Sequence, residues 1–480
     1  MRALILLHRW LGVAFCLLFA MWFATGIVMH FVPFPTLTEA DRFAGLAPLD
    51  TAQIARGPAE AIGSSGINGA ERIRLVQRSD GPVYLIAGPS RLIALHAADL
   101  SDAAVNSQHL ALEIATDYAR RRGWNASAAN AALASHDQWT VSERFDRHRP
   151  LYRIALNDGP GTELYVSSAT GELVLETTGR ERAWNYVGSV AHWIYVTPLR
   201  SHPAAWNFLL WWLSLLALAG ASAGALIGTL RVRIAGARLV SPYLGWQAWH
   251  HWLGLCCMLF VLTFIFSGWL SMDSGRLFST GKPTEVEAAS IAGAPAWNAL
   301  PPDEIGRLSA PVREVEWFAF GGRVYRRERT GVDRQRLFLA GAKDAEATPD
   351  RTFLRANEID TAASHLARSC ATSLMIAPDD NYAVAASMPG APVFRVVCGA
   401  EWFHIDGSSG IVAEKLDSSR RAYRWLYGAL HTLDFPVLTA HPALRTTLIV
   451  ALCVFGFVFS LTGVVIAWRR LRSCFRCRSD

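Results

Sequence analysis

Four stretches of this 480-residue chain each run about twenty residues or more without a charged side chain, at 10–29, 201–230, 252–272 and 446–468. A bilayer core of about 30 Å is crossed by roughly 20 helical residues, so each stretch is long enough to span a membrane. Buried helices of soluble proteins are seldom apolar over such a length. Only 18% of the residues are charged, against about 25% in soluble proteins. The stretches therefore predict a four-span membrane protein.

The arginines predict how the four spans are oriented. The linker between the second and third spans carries Arg231, Arg233 and Arg238 without an acidic residue, and five more arginines follow the fourth span. Short basic segments of this kind remain in the cytoplasm. We therefore expect a multi-pass protein of the bacterial inner membrane, with both termini cytoplasmic and two large periplasmic segments. The net charge of +6 follows from this topology, so membrane lipid and not nucleic acid is the expected partner.

The predicted division of the chain has eight segments. They are transmembrane helix 1 at 1–31, periplasmic domain 1 at 32–200, transmembrane helix 2 at 201–230, a cytoplasmic linker at 231–249, transmembrane helix 3 at 250–272, periplasmic domain 2 at 273–444, transmembrane helix 4 at 445–468 and a cytoplasmic tail at 469–480. The first span lacks an Ala-x-Ala-like cleavage site and is too long for a typical signal peptide, so we expect it to be retained. Cys370 and Cys398 share periplasmic domain 2, where an oxidising compartment favours a disulfide between them.

The two halves of the chain carry the same motifs in the same order. Residues 7–12 read LHRWLG and residues 249–254 read WHHWLG, and each motif opens a membrane span. Both spans end in a small residue followed by glycine, Thr-Gly at 25–26 and Ser-Gly at 267–268. These matches indicate an internal duplication.

The same register continues through the outer segments. His192 lies 21 residues after Gly171, and His431 lies 21 residues after Gly410. Ten residues further along, each half has a His-Pro pair that leads straight into a span. This agreement predicts two parallel tandem repeats related by an axis along the membrane normal, which would bring equivalent residues face to face in a four-helix bundle.

Each outer segment has the pattern of an α+β domain. Residues 108–122 read as a helix, and residues 152–156 alternate in the manner of a strand. Hairpin signals stand between strand-like runs at 80–81 (Asp-Gly) and at 321–322 (Gly-Gly). The predicted fold class is an α-helical four-span bundle built from two parallel tandem repeats, each with an α+β periplasmic domain between its two helices.

Histidine is concentrated where the spans are predicted to meet the membrane boundaries. Eight of the fourteen histidines lie there, namely His8, His30, His192, His202, His250, His251, His431 and His441. Histidine is rare in membrane spans unless it has a functional role, and imidazole is a common axial ligand of haem iron. A helix bundle also suits the large apolar macrocycle of haem.

The repeat offers two pairs of histidines at different depths. His8 and His250 are predicted at the cytoplasmic end, and His192 and His431 at the outer face. Along one helix, His8 and His30 would be roughly 33 Å apart, so a single iron cannot serve both levels. We therefore predict two b-type haems whose irons are bound by these four histidines. Each histidine has a simpler alternative as a polar residue at the membrane interface.

Five further residues are secondary candidates for iron ligation: His30, His251, His202, His441 and Met272. Adjacent residues on a helix differ by about 100°, so His251 should face away from the haem. His202 and His441 precede prolines, which favours helix capping or interfacial solvation. His30 and Met272 share one register position near the outer haem and are alternative ligands for its iron.

Several motifs of cofactor and hydrolytic enzymes are missing from the sequence. It contains no CxxCH, which excludes covalently attached c-type haem. It also contains no GxGxxG and no GxxxxGK[ST], so the chain is not expected to bind a dinucleotide or ATP. Electrons would have to come from a quinol or from a cytoplasmic reductase. No Ser-His-Asp or HExxH constellation marks a hydrolase.

Several short motifs are typical of one family. They are the His-x-Trp-Leu-Gly openings at His8 and His250, the Thr-Gly-Glu-Leu-Val sequence at 170–174, and the Ala-His and Leu-His elements at His192 and His431. Over nearly its whole length the chain resembles the PepSY-associated transmembrane family, the PiuB-type or iron-regulated membrane proteins. The resemblance implies PepSY-like folds for both periplasmic domains. Some members of this family resemble di-haem ferric-siderophore reductases of the bacterial inner membrane.

The resemblance also implies a function in iron uptake. Haem would relay one electron at a time to a ferric siderophore or another ferric chelate in the periplasm. Reduction would weaken the chelate, because oxygen ligands prefer the hard Fe(III) ion to Fe(II). Two alternatives stay open. One is a haem-free PepSY scaffold or regulatory interaction protein, and the other is a haem relay to a different periplasmic acceptor.

Overall fold

The computed structural model describes most of the chain. The described residues are 1–67, 69–88, 91–235, 238–273, 277–295, 297–308, 311–341, 351–367, 369–377, 379, 381 and 388–476. The chain forms two compact units. We call Met1–Phe34, Glu181–Phe278 and Arg421–Asp480 the helical unit, and Pro35–Arg180 with Ser279–Arg420 the sheet unit.

The described residues form helices and strands in the following order. The α-helices are α1 Arg2–Phe31, α2 Glu39–Ala44, α3 Pro58–Ser65, α4 Gln108–Arg121, α5 Gly179–Asn185, α6 Thr197–Arg200, α7 Pro203–Arg231, α8 Trp246–Ser271, α9 Glu285–Ala292, α10 Ala356–Ser364, α11 Ser418–Tyr423, α12 Leu430–Thr432, α13 Pro436–Thr439 and α14 Pro442–Arg476. The strands are β1 Arg72–Arg78, β2 Gly81–Ala87, β3 Leu92–His96, β4 Asn130–Ala134, β5 Leu151–Ala155, β6 Glu163–Ser167, β7 Leu173–Thr177, β8 Arg233–Ala235, β9 Arg238–Val240, β10 Glu314–Phe320, β11 Arg323–Arg329, β12 Gln335–Leu339, β13 Cys370–Met375, β14 Val393–Cys398, β15 Glu401–Asp406 and β16 Val412–Leu416. Short 3₁₀ turns occupy Thr51–Gln53, Glu143–His148, Trp297–Ala299 and Glu304–Arg307, and π-helical turns occupy Tyr186–Val190 and Arg424–Ala429.

Four helices of the helical unit are long and apolar enough to cross a membrane: α1, α7, α8 and α14. The predicted multi-pass membrane protein is therefore confirmed. α14 continues into the tail predicted at 469–480, of which 477–480 lie outside the described residues. Pro203 and Pro442 are the first residues of α7 and α14, where the missing N–H of proline breaks no helical hydrogen bond. The two His-Pro pairs of the sequence therefore mark the starts of these helices.

The four long helices pack through glycines. α1 and α8 both lie beside α7 and α14. A Cβ atom on Gly456 would lie 2.6 Å from the Phe23 ring, and one on Gly220 would lie 3.0 Å from Leu11. Small residues allow this close approach in membrane bundles. We call the end of the bundle that carries the connection at 232–245 the linker end, and the opposite end the far end.

The sheet unit is built on a six-stranded antiparallel sheet with the strand order β12-β11-β10-β1-β2-β3. The predicted turn at 80–81 joins β1 to β2, and that at 321–322 joins β10 to β11. Both glycines of the second turn have positive φ, as tight hairpins require. β1 pairs with β10, where Ile73 lies opposite Trp317 and both are fully buried. The two segments predicted as separate domains therefore share one sheet and one core.

Each segment also contributes a four-stranded antiparallel sheet. The first follows α4 with the order β4-β5-β6-β7, and the second follows α10 with the order β13-β14-β15-β16. The pairing register shifts at 165–166 in one sheet and at 404–405 in the other, positions 239 residues apart. A disulfide joins Cys370 of β13 to Cys398 of β14, as the sequence predicts.

A buried charge network crosses the six-stranded sheet. Glu314 of β10 is fully buried and lies 2.8 Å from Arg42 and 3.0 Å from Arg329. A third guanidinium group, that of Arg74, lies 3.5 Å away. Burial alone would raise the pKa of Glu314, but the three guanidinium groups hold that pKa well below its usual range. Arg42 and Arg74 belong to the first segment, so the network also ties the two segments together.

Candidate functional site

At the far end of the bundle, His192 is fixed against α1. Its Nδ1 atom lies 2.8 Å from Oγ1 of Thr25, and the indole N–H of Trp22 donates to the backbone carbonyl of His192 at 3.0 Å. A Cβ atom on Gly26 would lie 3.8 Å from the imidazole. The Thr-Gly pair at the end of the first span therefore contacts this histidine directly.

His431 is fixed against α8 in the corresponding way. Its Nδ1 atom lies 3.1 Å from both Oγ of Ser267 and the carbonyl oxygen of Phe264. A Cβ atom on Gly268 would lie 3.3 Å from the imidazole. The Ser-Gly pair of the third span thus contacts His431 in the same way as the Thr-Gly pair of the first span contacts His192.

Unusual backbone precedes and follows both far-end histidines. Tyr186–Val190 and Arg424–Ala429 are π-helical, a rare conformation that occurs mostly at functional sites. Two residues after each histidine, Ile194 and Leu433 have φ angles of 48° and 51°, which are uncommon outside glycine. Such strain persists only where the surrounding structure enforces it. In both repeats a left-handed residue therefore follows two positions after the histidine.

At the linker end, His8 of α1 faces α7. Its Nδ1 atom lies 3.0 Å from the carbonyl oxygen of Gly220. A Cβ atom on Gly224 would lie only 2.4 Å from Cε1 of His8, a contact that would force the ring to move. The absence of a side chain at Gly224 of α7 therefore makes room for this imidazole.

His250 of α8 faces α14. Its Nδ1 atom lies 2.8 Å from Oγ1 of Thr462, and its ring stacks on Phe459 with the centroids 4.8 Å apart. A Cβ atom on Gly463 would lie 3.6 Å from the ring. Three of the four histidines therefore contact a Thr or Ser hydroxyl whose next residue is glycine. The fourth, His8, contacts the backbone carbonyl of Gly220 instead.

Hydrogen-bond counting assigns the ring protons of these four histidines. The three hydroxyl groups that face them already donate to carbonyls of their own helices at 2.6–2.8 Å: Thr25 to Met21, Ser267 to Thr263 and Thr462 to Phe459. A hydroxyl that gives its one proton to such a carbonyl accepts from the histidine. The carbonyl of Gly220 that faces His8 can also only accept. Each Nδ1 therefore carries the proton.

The Nε2 atoms of the same histidines are left with their lone pairs. Within the described part of the chain, no hydrogen bond engages Nε2 of His8, His192, His250 or His431. A hydrogen bond from Nδ1 to a protein group is the usual way in which a metal-binding histidine is oriented. In this arrangement Nε2 is the ring atom of each histidine that could bind a metal ion.

The two histidines of the linker end face one another. Their ring centroids are 6.2 Å apart, and the ring planes are inclined by 34°. Two imidazole nitrogens bound to one metal ion at about 2.0–2.1 Å place their ring centroids roughly 5–6.5 Å apart, according to the angle between the two bonds. The separation of His8 and His250 therefore fits one metal ion bound between them.

A cavity of about 870 Å³ adjoins His8 and His250. Its wall is mostly apolar and includes Leu11, Phe23 and Phe459. The volume lies within the range of about 300–1,000 Å³ that is typical of small-molecule and cofactor sites. A large, mainly apolar ligand therefore fits next to this pair of histidines.

The set of donors distinguishes a bare metal ion from a metal cofactor. Across the described residues, no group of three or more His, Cys, Asp and Glu side chains is arranged to hold a metal ion. Two histidines beside an apolar cavity instead match a metal whose other ligands come from a macrocycle. Haem is such a group, since its iron takes only its axial ligands from the protein.

His251 is engaged on both sides of its ring. Nδ1 lies 2.8 Å from Oγ of Ser241, and Nε2 lies 2.8 Å from the carbonyl oxygen of Gly228. The side chain is buried and joins the linker to the end of α7. Because both ring nitrogens are in hydrogen bonds, the role of His251 is to connect these two parts of the structure.

The other secondary candidates make contacts of their own that do not involve the two pairs. Nε2 of His30 lies 3.0 Å from Oγ1 of Thr446, and Met272 caps the C-terminus of α8. His202 and His441 are exposed, and Nδ1 of each faces a backbone carbonyl four residues earlier. In the described residues, no hydrogen bond or ring contact joins these side chains to the far-end pair.

Comparison with known proteins adds one finding. The family profile described as the PepSY-associated TM region matches residues 5–470, a range that contains all four histidines, and no curated protein gave a match. Since the profile covers nearly the whole chain, this protein belongs to the PepSY-associated TM region family.

Proposed function

We propose that this protein transfers electrons across the bacterial inner membrane through two b-type haems. His8 and His250 hold one haem iron, and His192 and His431 hold the other. The observation that carries the proposal is a shared contact: Nδ1 of each of the four rings faces a hydroxyl or carbonyl oxygen, and among the described residues no hydrogen bond engages Nε2. The 6.2 Å separation of the linker-end rings supports it further.

The chain's own residues orient and shield the proposed cofactors. When bound, haem supplies a one-electron Fe(III)/Fe(II) couple. Thr25, Ser267 and Thr462 keep the proton on Nδ1 of their histidines and raise the basicity of Nε2. Phe459 holds the ring of His250 in place by stacking, and the apolar cavity wall excludes water from the linker-end site.

The proposed direction of electron flow is outward. Arg231 and Arg233 at the linker end are the basic flanking residues that remain in the cytoplasm, which gives cytoplasmic termini and a periplasmic sheet unit. Electrons then enter at the linker end from a quinol or a cytoplasmic reductase and leave at the far end. The face-to-face pairs follow from two tandem repeats, which the equal spacing of the far-end histidines and of the sheet irregularities supports.

The proposed acceptor is a ferric siderophore or another ferric chelate, and the protein is then a ferric-chelate reductase of iron uptake. This assignment rests on the family resemblance and on one-electron chemistry. One electron converts Fe(III) to Fe(II), which oxygen ligands hold less tightly. No nucleotide is needed for this step, in agreement with the absence of nucleotide-binding motifs from the sequence.

The first test is the absorption spectrum of the purified full-length protein before and after reduction with dithionite. We expect b-type bands and close to two haems per chain. His8→Ala should remove the linker-end haem and His192→Ala the far-end haem, whereas His202→Ala at an exposed position should keep both. A colourless protein, even after growth with added haem, would contradict the proposal and favour the haem-free scaffold.

The acceptor is tested separately. Anaerobically reduced protein is mixed with a ferric hydroxamate chelate in the presence of an Fe(II) trap. We expect loss of the reduced haem bands together with one trapped Fe(II) per electron. Haem that stays reduced would reject ferric chelates while leaving the haem relay intact.

A further inference from the structure

The cavity beside His8 has two chemically different regions. One is apolar and includes Leu11 and Phe459, and the other is lined by Arg9, Arg469 and Arg470. Arg9 adjoins His8 in the sequence. The two arginines of α14 lie about two helical turns, or roughly 9 Å, beyond the glycine that faces His250. Arg469 and Arg470 therefore lie on the linker-end side of the cavity, and we call the three lining arginines its rim.

These three arginines have no anionic partner in the described part of the chain. Among the described residues, no Asp or Glu side chain lines the cavity and no ion pair engages the three guanidinium groups. Arg469 is held at the rim by Trp246, with its guanidinium carbon 6.0 Å from the ring centroid. Cations without an anionic partner at the edge of an apolar cavity stabilise an anionic ligand group beside them.

We infer that Arg9, Arg469 and Arg470 bind the carboxylates of the cavity ligand. The inference rests on the proposed function and gives the linker-end haem an orientation, with both propionates toward the rim. A mainly apolar ligand with an anionic edge matches both regions of the cavity. Guanidinium groups suit this role because they bind carboxylates through paired, charge-assisted hydrogen bonds.

Membrane topology alone explains why arginines occur at this end, but not why three of them line the cavity. Arg2, Arg231 and Arg472 stand at the same end and do not line it. A change at these positions alters the basic charge of the membrane boundary without altering the rim. They therefore provide matched controls for the role of the rim arginines.

The test compares haem with haem dimethyl ester, in which both propionates are uncharged. Both ligands are titrated into apo-protein that carries His192→Ala, so that only the linker-end site is filled. We expect the native rim to bind haem about tenfold or more tightly than the ester. Arg469→Gln with Arg470→Gln should abolish this preference, and Arg2→Gln with Arg472→Gln should keep it. In the full holoprotein, the rim variant should also shift the midpoint potential of the linker-end haem to more negative values.

The outcomes separate the inference from the function on which it rests. A rim variant that still prefers haem to the ester as strongly as the native rim does would overturn the inference. An equal weakening of haem binding and ester binding in that variant would also overturn it. A rim variant that loses co-purified anionic phospholipid but retains the haem preference would assign the arginines to a lipid phosphate instead. Failure of the native rim to bind either ligand would reject the haem site itself.

Discussion

Oγ1 of Thr462 accepts a hydrogen bond from Nδ1 of His250 at 2.8 Å while it donates its own proton to the carbonyl of Phe459. A side chain on one helix thus decides which nitrogen of a ring on another helix is protonated. The same relation joins Thr25 to His192 at the far end. Control of the tautomer is therefore built into the contacts between helices.

Replacing Thr462 by valine tests this relation. Thr462→Val keeps the shape of the side chain but leaves Nδ1 of His250 without its acceptor. We expect roughly 10–100-fold weaker binding of the linker-end haem, measured by titration of apo-protein. Thr447→Val is the control, because this exposed residue of α14 bonds only to its own helix. Equal haem affinity in both variants would show that the hydroxyl does not orient the ring.

Gly224→Ala tests the space that His8 requires. The new Cβ would lie 2.4 Å from the ring, so the imidazole must move away from its position opposite His250. We expect loss of the linker-end haem and retention of the other, which halves the haem content per chain. Gly63→Ala in α3 is the control, since no described atom outside its own helix lies within 4 Å of its Cβ position and the residue does not line the cavity. A full haem complement in Gly224→Ala would refute the steric argument.

Glu314→Gln tests the charge network of the sheet unit. The folded-state pKa of Glu314 is depressed, so its stabilising contribution is complete above the ordinary value of 4.5 and is lost as the pH falls toward the folded-state pKa. Breaking one side of a buried ion pair costs about 3–5 kcal/mol, so the variant should be less stable by about that amount at pH 7. The difference should shrink as the solution is acidified below the ordinary pKa.

The measurement for Glu314→Gln is thermal unfolding of the intact protein over a series of pH values. Glu285→Gln is the matched control, because Glu285 is exposed and has no ion pair among the described residues. A variant with native stability at pH 7, or a difference that does not depend on pH, would exclude the network as a source of stability.

The disulfide between Cys370 and Cys398 is expected to stabilise the second four-stranded sheet. Replacing both cysteines by serine should lower the free energy of unfolding by about 2–4 kcal/mol. The bond itself is detected by alkylating the protein with and without prior reduction and counting the labels by mass spectrometry. Reduction should add two labels, one on each of these cysteines. Unchanged labelling after reduction would show that the bond is not formed.

The sequence predicted the histidines of the site but not the groups that orient them. Thr25 and Thr462 look like ordinary polar residues of membrane helices, which usually bond to a carbonyl one turn earlier. Both do so here, and only the packing of a second helix turns them into acceptors for imidazole. The Thr-Gly and Ser-Gly pairs could be recognised as part of the internal repeat. Their contacts with His192 and His431 depend on the π-helical turns, which the sequence did not predict.

The spans and hairpins were predictable because their signals are local. Hydropathy over about twenty residues defines a span, and a Gly-Gly pair at 321–322 defines a turn. The pairing of β1 with β10 has no local signal, since a strand alternates in the same way whichever neighbour it has. The outer segments were consequently predicted as two domains, although they share one six-stranded sheet.

The shared sheet also imposes an order on biosynthesis. Arg72 of β1 and its ion-pair partner Glu316 of β10 are separated by 244 residues, and α7 and α8 are made between them. Until β10 emerges, β1 has a free edge that can pair with other chains. A product truncated after α7 would therefore be an aggregation-prone fragment, and the first half of this protein becomes a finished structure only when the second half has been translated.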